Sequence, residues 1–241
     1  LTRMQQALLV RCLAHPDRPL YMGQWWAVLQ GELDEQAFAA AWQSAVDRHT
    51  ALRSGFHWDI KASPFQVVHR QAILPTSRHD WSEHADWRAR LDAFLAEDRA
   101  LPFDLKKPPL MRIALIRLAA GRHLVVWTRH HLTVDGWSLG VILSEVFAHY
   151  KARLGGQALQ QPPAPAFRSY VDWEQSNPSP DALNHWRTVL AARSLDEETL
   201  EGKPRAADSS APDIDTVALH LPASATARLE ALARACRVTV N

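Results

Sequence analysis

A polar cluster, at the point where a buried strand gives way to a helix, constrains this chain most. Residues 129–138 read RHHLTVDGWS. Residues 122–128 before the cluster are mostly apolar and β-branched, which predicts a buried strand. Residues 139–147 after it repeat apolar side chains at helical spacing, which predicts a helix. Because two rigid elements can aim the polar side chains that a loop exposes, the sequence places a candidate site at this junction.

The two adjacent histidines of this junction are expected to differ in role. Consecutive strand residues point to opposite faces, so His130 and His131 cannot both face one cavity if the strand runs through them. One is expected to be catalytic and the other structural. Asp135 is expected to fix the turn, either by capping the helix or by pairing with a cation from elsewhere. Gly136 would allow a positive φ or a close backbone approach at the start of the helix.

Simpler interpretations of the cluster compete with a catalytic one. A single histidine at a strand end is more often a satisfied polar residue, and Asp-Gly is often only a turn. These interpretations explain single residues. They do not readily explain the whole pattern of a histidine pair, a three-residue spacer and Asp-Gly before a helix. A zinc site is a weaker alternative because the chain has no Cys-x-x-Cys and no His-Glu-x-x-His. No metal is therefore expected.

The junction resembles the signature of a known family. Residues 130–136 match the HHxxxDG motif of condensation domains of nonribosomal peptide synthetases, which are relatives of chloramphenicol acetyltransferase, and Trp137 and Ser138 also fit. The resemblance implies an α/β fold like that of chloramphenicol acetyltransferase, with a mixed β-sheet flanked by helices. The MQxxLL form at 4–9 resembles the subclasses that accept a D-configured or dual-configured donor.

A second motif supports the resemblance. Residues 48–56 read RHTALRSGF, where the family pattern is RHExLRTxF, so that Thr and Ser stand in place of the usual Glu and Thr. By resemblance, Arg48 pairs with Asp135 and Arg53 is a second structural cation; Arg112 is a rival partner for the aspartate. A bidentate Arg–Asp pair would fix the turn that carries the histidines. The alternative is that both motif arginines are solvated at a helix end.

The resemblance also implies a reaction, namely amide-bond formation between two carrier-bound thioesters. His131 is the residue expected to be catalytic, either as a general base or by orienting the amine. The backbone N–H of Gly136 is a candidate oxyanion donor. His130 is expected to support the site structurally, together with Asp135, Arg48 and Arg53. Trp137, Ser138 and Trp173 are candidates for lining the substrate tunnel.

The resemblance further implies partners and carried groups. No cofactor is expected to bind directly, because the substrates ride on the 4'-phosphopantetheine arms of donor and acceptor carrier proteins. These arms would enter a tunnel between two lobes from opposite ends. A neighbouring adenylation domain and a C-terminal lobe are the other expected partners.

The domain organisation follows from how far the resemblance extends. It covers residues 1–241 but only the N-terminal lobe of a condensation domain, because no motif of the second lobe is present. Residues 154–166 are predicted to be a Pro-rich connector. Residues 194–213 are charged with few large apolar side chains, which predicts a mobile loop. Since a tunnel between two lobes needs both, the isolated lobe is expected to be inactive.

Composition limits the other classes of function. An apolar fraction of 47% is ample for a core, and a formal charge of +1 gives no reason to expect nucleic acid as a partner. No apolar run is long enough to span a membrane. The two cysteines, Cys12 and Cys236, give no disulfide framework, and the start has no signal-peptide pattern. A cytoplasmic location is therefore the expectation.

Periodicity and turn residues predict the remaining elements. The expected helices begin near Leu1 or Thr2, at Asp34 and near Trp87, and the junction helix runs to about Arg153. The expected strands lie at 21–30, 52–58, 65–69, 110–118 and 122–131.

Two alternatives to peptide-bond formation stay open. A coenzyme A-dependent acyltransferase of the same fold would turn over a soluble acyl donor without a carrier protein. A non-catalytic domain that recruits carrier proteins or other partners is the binding-module alternative, although such relatives usually lose a histidine that this chain keeps. Epimerisation relatives place Ser before Trp after Asp-Gly, and heterocyclisation relatives carry aspartates in place of the histidines, so both fit less well.

Overall fold

A computed structural model describes residues 1–60, 63–84, 86–157, 159–191 and 219–240. The contacts between residues divide the chain into two units, Leu1–Pro178 and Ser179–Asn241. The predicted mobile loop at 194–213 lies outside the described residues.

The first unit contains both helices and strands. Its elements are α1 (Arg3–Ala14), β1 (Met22–Gln30), α2 (Glu35–Arg48), β2 (Ser54–His57), β3 (Phe65–Val68), β4 (Thr76–Asp80), α3 (Trp87–Arg99), β5 (Met111–Ala119), β6 (Arg122–His130), α4 (Gly136–Leu154) and α5 (Phe167–Ser176), with a short 3-10 turn at Thr50–Arg53 after α2. In the second unit the described elements are α6 (Pro180–Ala191) and α7 (Ala223–Cys236).

The main sheet has the strand order β1-β6-β5-β4. β6 pairs antiparallel with both β1 and β5, whereas β4 joins β5 in parallel. β6 is therefore an inner strand, and its side chains from His123 to His130 are all buried. Burial on both faces explains why this segment reads as a continuous apolar run rather than as an alternating one.

Helices cover both faces of the sheet. On one face, α2 and α4 contribute Phe38, Trp42 and Ile142 to a core that also contains Trp127 of β6. The rings of Trp42 and Trp127 meet edge to face, with centroids 5.0 Å apart. On the opposite face, Leu91 of α3 packs into a second core. Because each large apolar side chain buried in this way stabilises the fold by roughly 1.5–3 kcal/mol, the two faces together hold the sheet rigid beneath the junction.

The predicted architecture is confirmed as a mixed sheet flanked by helices. The predicted hairpin of β5 and β6 is present, and Gly121 in its turn has a φ of +63°. The predicted pair of short strands is present as β2 and β3.

The local sequence does not predict β4. Its five residues are TSRHD, a polar stretch without apolar alternation. The strand forms because β5 offers a free edge with which Thr76–Asp80 can pair in parallel, and such pairing depends on tertiary structure rather than on local sequence.

The junction helix ends one residue beyond the predicted end at about Arg153. α4 runs to Leu154, and Gly156 has a φ of +64°, which suits a residue without a side chain. Residues 159–166 of the predicted connector contain neither helix nor strand. Within the described residues, no helix combines the length and the apolar character that crossing a membrane would require.

Candidate functional site

The end of β6 is clamped between its two neighbours in the sheet. The N–H of His130 donates to the carbonyl of Leu110 at 2.9 Å, on the β5 side. The N–H of His131 donates to the carbonyl of Tyr21 at 2.9 Å, on the β1 side, where Tyr21 adopts a φ of +57°. The backbone positions of both histidines are therefore fixed before any side-chain contact is considered.

His130 points into the protein. It is only 3% exposed, and its Nδ1 accepts a hydrogen bond from the N–H of Leu132 at 3.1 Å. A backbone N–H can only donate, so the neutral ring carries its proton on Nε2, which lies 3.8 Å from Sγ of Cys12. Burial, with a smaller contribution from His131, lowers the pKa of His130 to about 4. The ring is therefore neutral near pH 7.

His131 is the exposed member of the pair. β6 ends at His130, so His131 lies just past the strand in the turn that leads to α4, where its side chain is exposed. Of the two histidines, only His131 is open to a substrate, while His130 packs behind the loop. The catalytic role of His131 stays a prediction at this point.

Gln5 joins α1 to the histidine loop. Its Nε2 donates to the carbonyl of Leu132 at 2.9 Å. Its Oε1 accepts from the N–H of Thr2, and the Thr2 hydroxyl accepts from the N–H of Gln5 in return. Both side chains are buried. The helix was predicted but this role of Gln5 was not, although Thr-x-x-Gln before an apolar run is the signal of such a reciprocal cap.

Asp135 caps the helix that follows it. One of its carboxylate oxygens accepts from the N–H of Ser138 at 2.8 Å and from its hydroxyl at 2.6 Å. These hydrogen bonds hold the pKa of Asp135 below its usual range. Of the two roles left open for this aspartate, the structure shows helix capping.

The ion pair that the resemblance implied between Arg48 and Asp135 is not formed, and that expectation was wrong. Nε of Arg48 lies 3.2 Å from Oε1 of Glu145, and Nη1 donates to the carbonyl of Pro162 at 2.7 Å. The rival, Arg112, pairs with Asp98 at 2.6 Å. The physical reason is that α2 ends beside the middle of α4, where Glu145 lies, and not beside its first turn.

Arg53 lies further along the same motif. Its Nε donates to the carbonyl of Val46 at 3.2 Å, and its Nη1 donates to the carbonyls of His69 and Arg70. These contacts join the end of α2 to the chain that follows β3.

Gly136 is the first residue of α4, and neither reason expected for a glycine there applies. It is not among the glycines with positive φ, and a Cβ built on it would meet nothing within 4 Å. Among the described residues, no hydrogen bond is formed by its N–H, as expected for the first turn of a helix. This N–H is therefore free to bind an external acceptor.

The residues after Gly136 border an open cavity of about 340 Å³. Trp137 is 90% exposed at its mouth. The wall residues are His49, Ala51, Leu52, Thr133, Asp135, Trp137, Ser138, Val141 and Ile142. The predicted tunnel residues Trp137 and Ser138 therefore share one cavity, whereas Trp173 stacks on Tyr170 in α5 and does not line it.

A buried cation that sequence analysis did not single out precedes the histidines. Arg129 is 7% exposed, and its guanidinium carbon lies 5.0 Å from the centre of the Trp127 ring. A Cβ at Gly23 would come within 3.3 Å of that carbon, so the glycine leaves room for the guanidinium. Burial lowers the pKa of Arg129.

Within the described part of the chain, no three His, Cys, Asp or Glu side chains are grouped so that they could hold a metal ion.

Residues 1–241 match the family model described as the condensation domain. The chain belongs to the condensation domain family.

Relatives of this condensation domain are large synthetases. The chain is 33% identical to a linear gramicidin synthase of Brevibacillus parabrevis over 247 residues, covering 100% of this chain and 3% of that protein. Chondramide synthase cmdD of Chondromyces crocatus is 33% identical over 226 residues, with 92% and 6% covered. Bacitracin synthase 3 of Bacillus licheniformis is 30% identical over 241 residues, with 100% and 4% covered. The chain thus spans a small fraction of the length of these relatives.

Solved condensation domains share the fold. The first condensation domain of the calcium-dependent antibiotic synthetase, bound to a substrate analogue, aligns with a TM-score of 0.68 at 24% identity, covering 73% of this chain and 42% of that chain. The starter condensation domain of rhizomide synthetase RzmA aligns with a TM-score of 0.67 at 22% identity, covering 73% and 44%. These alignments confirm the mixed α/β fold expected for this chain, which it shares with solved condensation domains.

Replacing the buried Gln5 of α1 tests whether its hydrogen bonds stabilise the loop that carries the histidines in this condensation domain. Gln5→Ala leaves the Leu132 carbonyl and the Thr2 N–H without partners, which costs about 1–3 kcal/mol. We expect that loss in the free energy of urea unfolding, with faster amide hydrogen exchange at Leu132 and Thr133. The control is Gln6→Ala, whose side chain is exposed. Equal effects of the two substitutions would contradict the assignment.

The buried histidine makes the stability of the condensation domain depend on pH. His130 has a pKa of about 4 when folded and roughly 6.5 when unfolded, so the unfolded state binds more protons. The contribution of His130 to the free energy of unfolding is therefore complete above about pH 6.5. It is lost as the pH falls toward 4, by at most about 3 kcal/mol. Urea unfolding measured from pH 7.5 to 4.5 should show a shallower dependence in His130→Asn, which keeps an acceptor for Leu132. Equal slopes in the two proteins would refute the burial argument.

Proposed function

We propose that this chain is the N-terminal lobe of a condensation domain that forms peptide bonds in nonribosomal peptide synthesis. The observation that carries the proposal is the state of the histidine pair. His131 is exposed at the end of a rigid strand, and a neutral His130 is buried directly behind it. The relatives are synthetases in which such domains occur, and the chain keeps both histidines of the motif.

The proposed reaction joins two thioesters. The amine of the acceptor attacks the carbonyl carbon of the donor thioester, a C–N bond forms, and the C–S bond breaks. The sulfur of the donor carrier leaves as a thiolate and takes up the proton that the amine loses, so the carrier is released as a thiol. His131 either passes this proton from the amine to the sulfur or holds the amine in line with the carbonyl. Because a free amine has a pKa near about 8, orientation by the imidazole would already be of use.

The start of α4 supplies the proposed oxyanion donor. As the donor carbonyl becomes tetrahedral, negative charge develops on its oxygen, and a fixed N–H stabilises that charge. The N–H of Gly136 is unpaired within the described chain and lies at a helix N-terminus, where the partial charge is positive. Asp135 keeps this first turn in place through its hydrogen bonds with Ser138.

The substrates and partners follow from the same proposal. The aminoacyl groups arrive on 4'-phosphopantetheine arms of donor and acceptor carrier proteins, in a synthetase that also contains an adenylation domain. The chain aligns with 42% of a solved condensation domain, which supports a second lobe as the other wall of the tunnel. The isolated lobe is then inactive. A cytoplasmic location stays a prediction.

Replacing the exposed histidine tests the function. We expect a complete condensation domain, given loaded donor and acceptor carriers, to form a dipeptidyl carrier that mass spectrometry detects. His131→Ala should lower the rate roughly 10²–10⁴-fold, the usual range for a general acid–base group. The control is His15→Ala, which removes another exposed histidine, in the turn after α1.

The outcomes separate the possible functions. Product formation that survives His131→Ala would remove this histidine from the chemistry. No product from the unmodified domain with varied carriers, but turnover of a soluble acyl-coenzyme A, would replace the proposal with an acyltransferase. Carrier binding without any turnover would leave a recruiting domain.

A second substitution tests the oxyanion donor. Gly136→Pro removes only the N–H, because proline is well tolerated at the first position of a helix. The extended backbone of Asp135, with a ψ of −174°, also suits a residue before proline. We expect kcat to fall by about 10²–10³, the cost of losing one oxyanion donor. Gly136→Ala keeps the N–H, has space for its methyl group, and should retain activity. Equal rates for the two variants would exclude this N–H from catalysis.

A further inference from the structure

The cavity beside the histidine loop is lined by one polar residue from outside that loop and α4, which the proposed reaction leaves without a role. This residue is His49, at the end of α2. The apolar part of the cavity includes Leu52, Val141 and Ile142. The cavity can therefore take a group that combines an apolar body with at least one polar atom.

A carboxylate from α4 holds the ring of His49. Nε2 of His49 lies 2.6 Å from Oε2 of Glu145, whose other oxygen lies 3.2 Å from Nε of Arg48. The side chains of His49 and Glu145 are 22% and 15% exposed, so the contact is largely shielded from water. The contact with Glu145 therefore holds the ring of His49 in a fixed orientation.

The partner of one ring nitrogen determines what the other can do. A carboxylate accepts hydrogen bonds and does not donate them, so Nε2 carries the proton of the neutral ring. Nδ1 is then an acceptor. Among the described residues it has no hydrogen-bond partner, and it is not among the solvent-excluded polar atoms. His49 therefore offers a fixed and accessible hydrogen-bond acceptor.

We propose that His49 is a substrate-binding residue, whose Nδ1 accepts a hydrogen bond from an N–H of a carrier-bound aminoacyl group in this cavity. The inference rests on the proposed function, because it assigns the ligand class from that reaction. The carboxylate of Asp135 lines the same cavity, and its negative charge also favours a group that bears N–H. The apolar wall receives the side chain of the aminoacyl group.

The N–H could belong to either substrate. An acceptor presents a free α-amine, and a donor whose own nitrogen is already acylated presents an amide N–H. Both chemistries suit Nδ1 of His49, so two probes are needed. We use an aminoacyl-pantetheine amide with a free amine and its N-acetylated form, because an amide in place of the thioester does not react.

The substitution that tests the proposal is His49→Gln. The glutamine amide N–H₂ can replace Nε2 and keep the contact with Glu145, but no atom replaces Nδ1. The matched control is His123→Gln, because His123 also faces a glutamate, with Nε2 at 3.8 Å from Glu35, at the other end of β6. A purely structural effect would be the same in both variants.

Kinetics of the complete domain give the first measurement. In His49→Gln we expect the KM for one carrier-bound substrate to rise about 3–10-fold, the range for one lost hydrogen bond, while kcat stays within about twofold. His123→Gln should leave both constants near those of the unmodified domain. An unchanged KM in His49→Gln, or an equal rise in both variants, would overturn the proposal.

Titration of the unmodified domain gives a measurement that needs no turnover. With ¹⁵N-labelled histidine, the Nδ1 signal of His49 should shift saturably with one of the two probes, while the signals of His123 stay in place. A shift with the free amine identifies the acceptor, and a shift with the acetylated probe identifies the donor. No shift at His49 with either probe would refute the role of His49. A domain that shifts but forms no dipeptide would refute the reaction and not the binding site.

Discussion

The hydrogen bonds that hold the end of β6 between its neighbours are the constraint on which the site depends. β6 is buried on both faces, and the N–H groups of His130 and His131 bond to opposite neighbouring segments. With the backbone fixed in this way, the ring of His130, the last residue of β6, lies in the core, whereas the ring of His131, just past the strand, is exposed. The same geometry therefore produces a structural histidine and an accessible one from two identical residues.

The inward histidine shows how burial assigns a chemical state. Removal of water from His130 favours its neutral form, and the N–H of Leu132 selects which nitrogen carries the proton. Gln5 then fixes the carbonyl of the same Leu132 to α1. The loop between strand and helix is thus held from within the core and from α1, which leaves His131 and the first turn of α4 in defined positions at the surface.

The carboxylate that caps α4 and the carboxylate in the middle of α4 have different partners. Asp135 uses its own first turn as a partner and needs no arginine. Glu145, further along the helix, receives both the arginine and the histidine of the second motif. The motif that was expected to support Asp135 therefore supports a different carboxylate, which lies nearly three turns further along the helix that Asp135 caps, at about 3.6 residues per turn. Its histidine lines the same cavity as Asp135.

The sequence by itself determined the elements with a strong local signal and the position of the junction between β6 and α4, because periodicity, turn residues and motif spacing are properties of neighbouring residues. It also determined that the two histidines of the junction must differ. Only the tertiary structure decided which of them is buried, which carboxylate Arg48 meets, and that a polar segment pairs with β5 as β4. These depend on the packing of α1, α2 and α4 around the sheet, and side chains far apart in the chain become partners only through that packing.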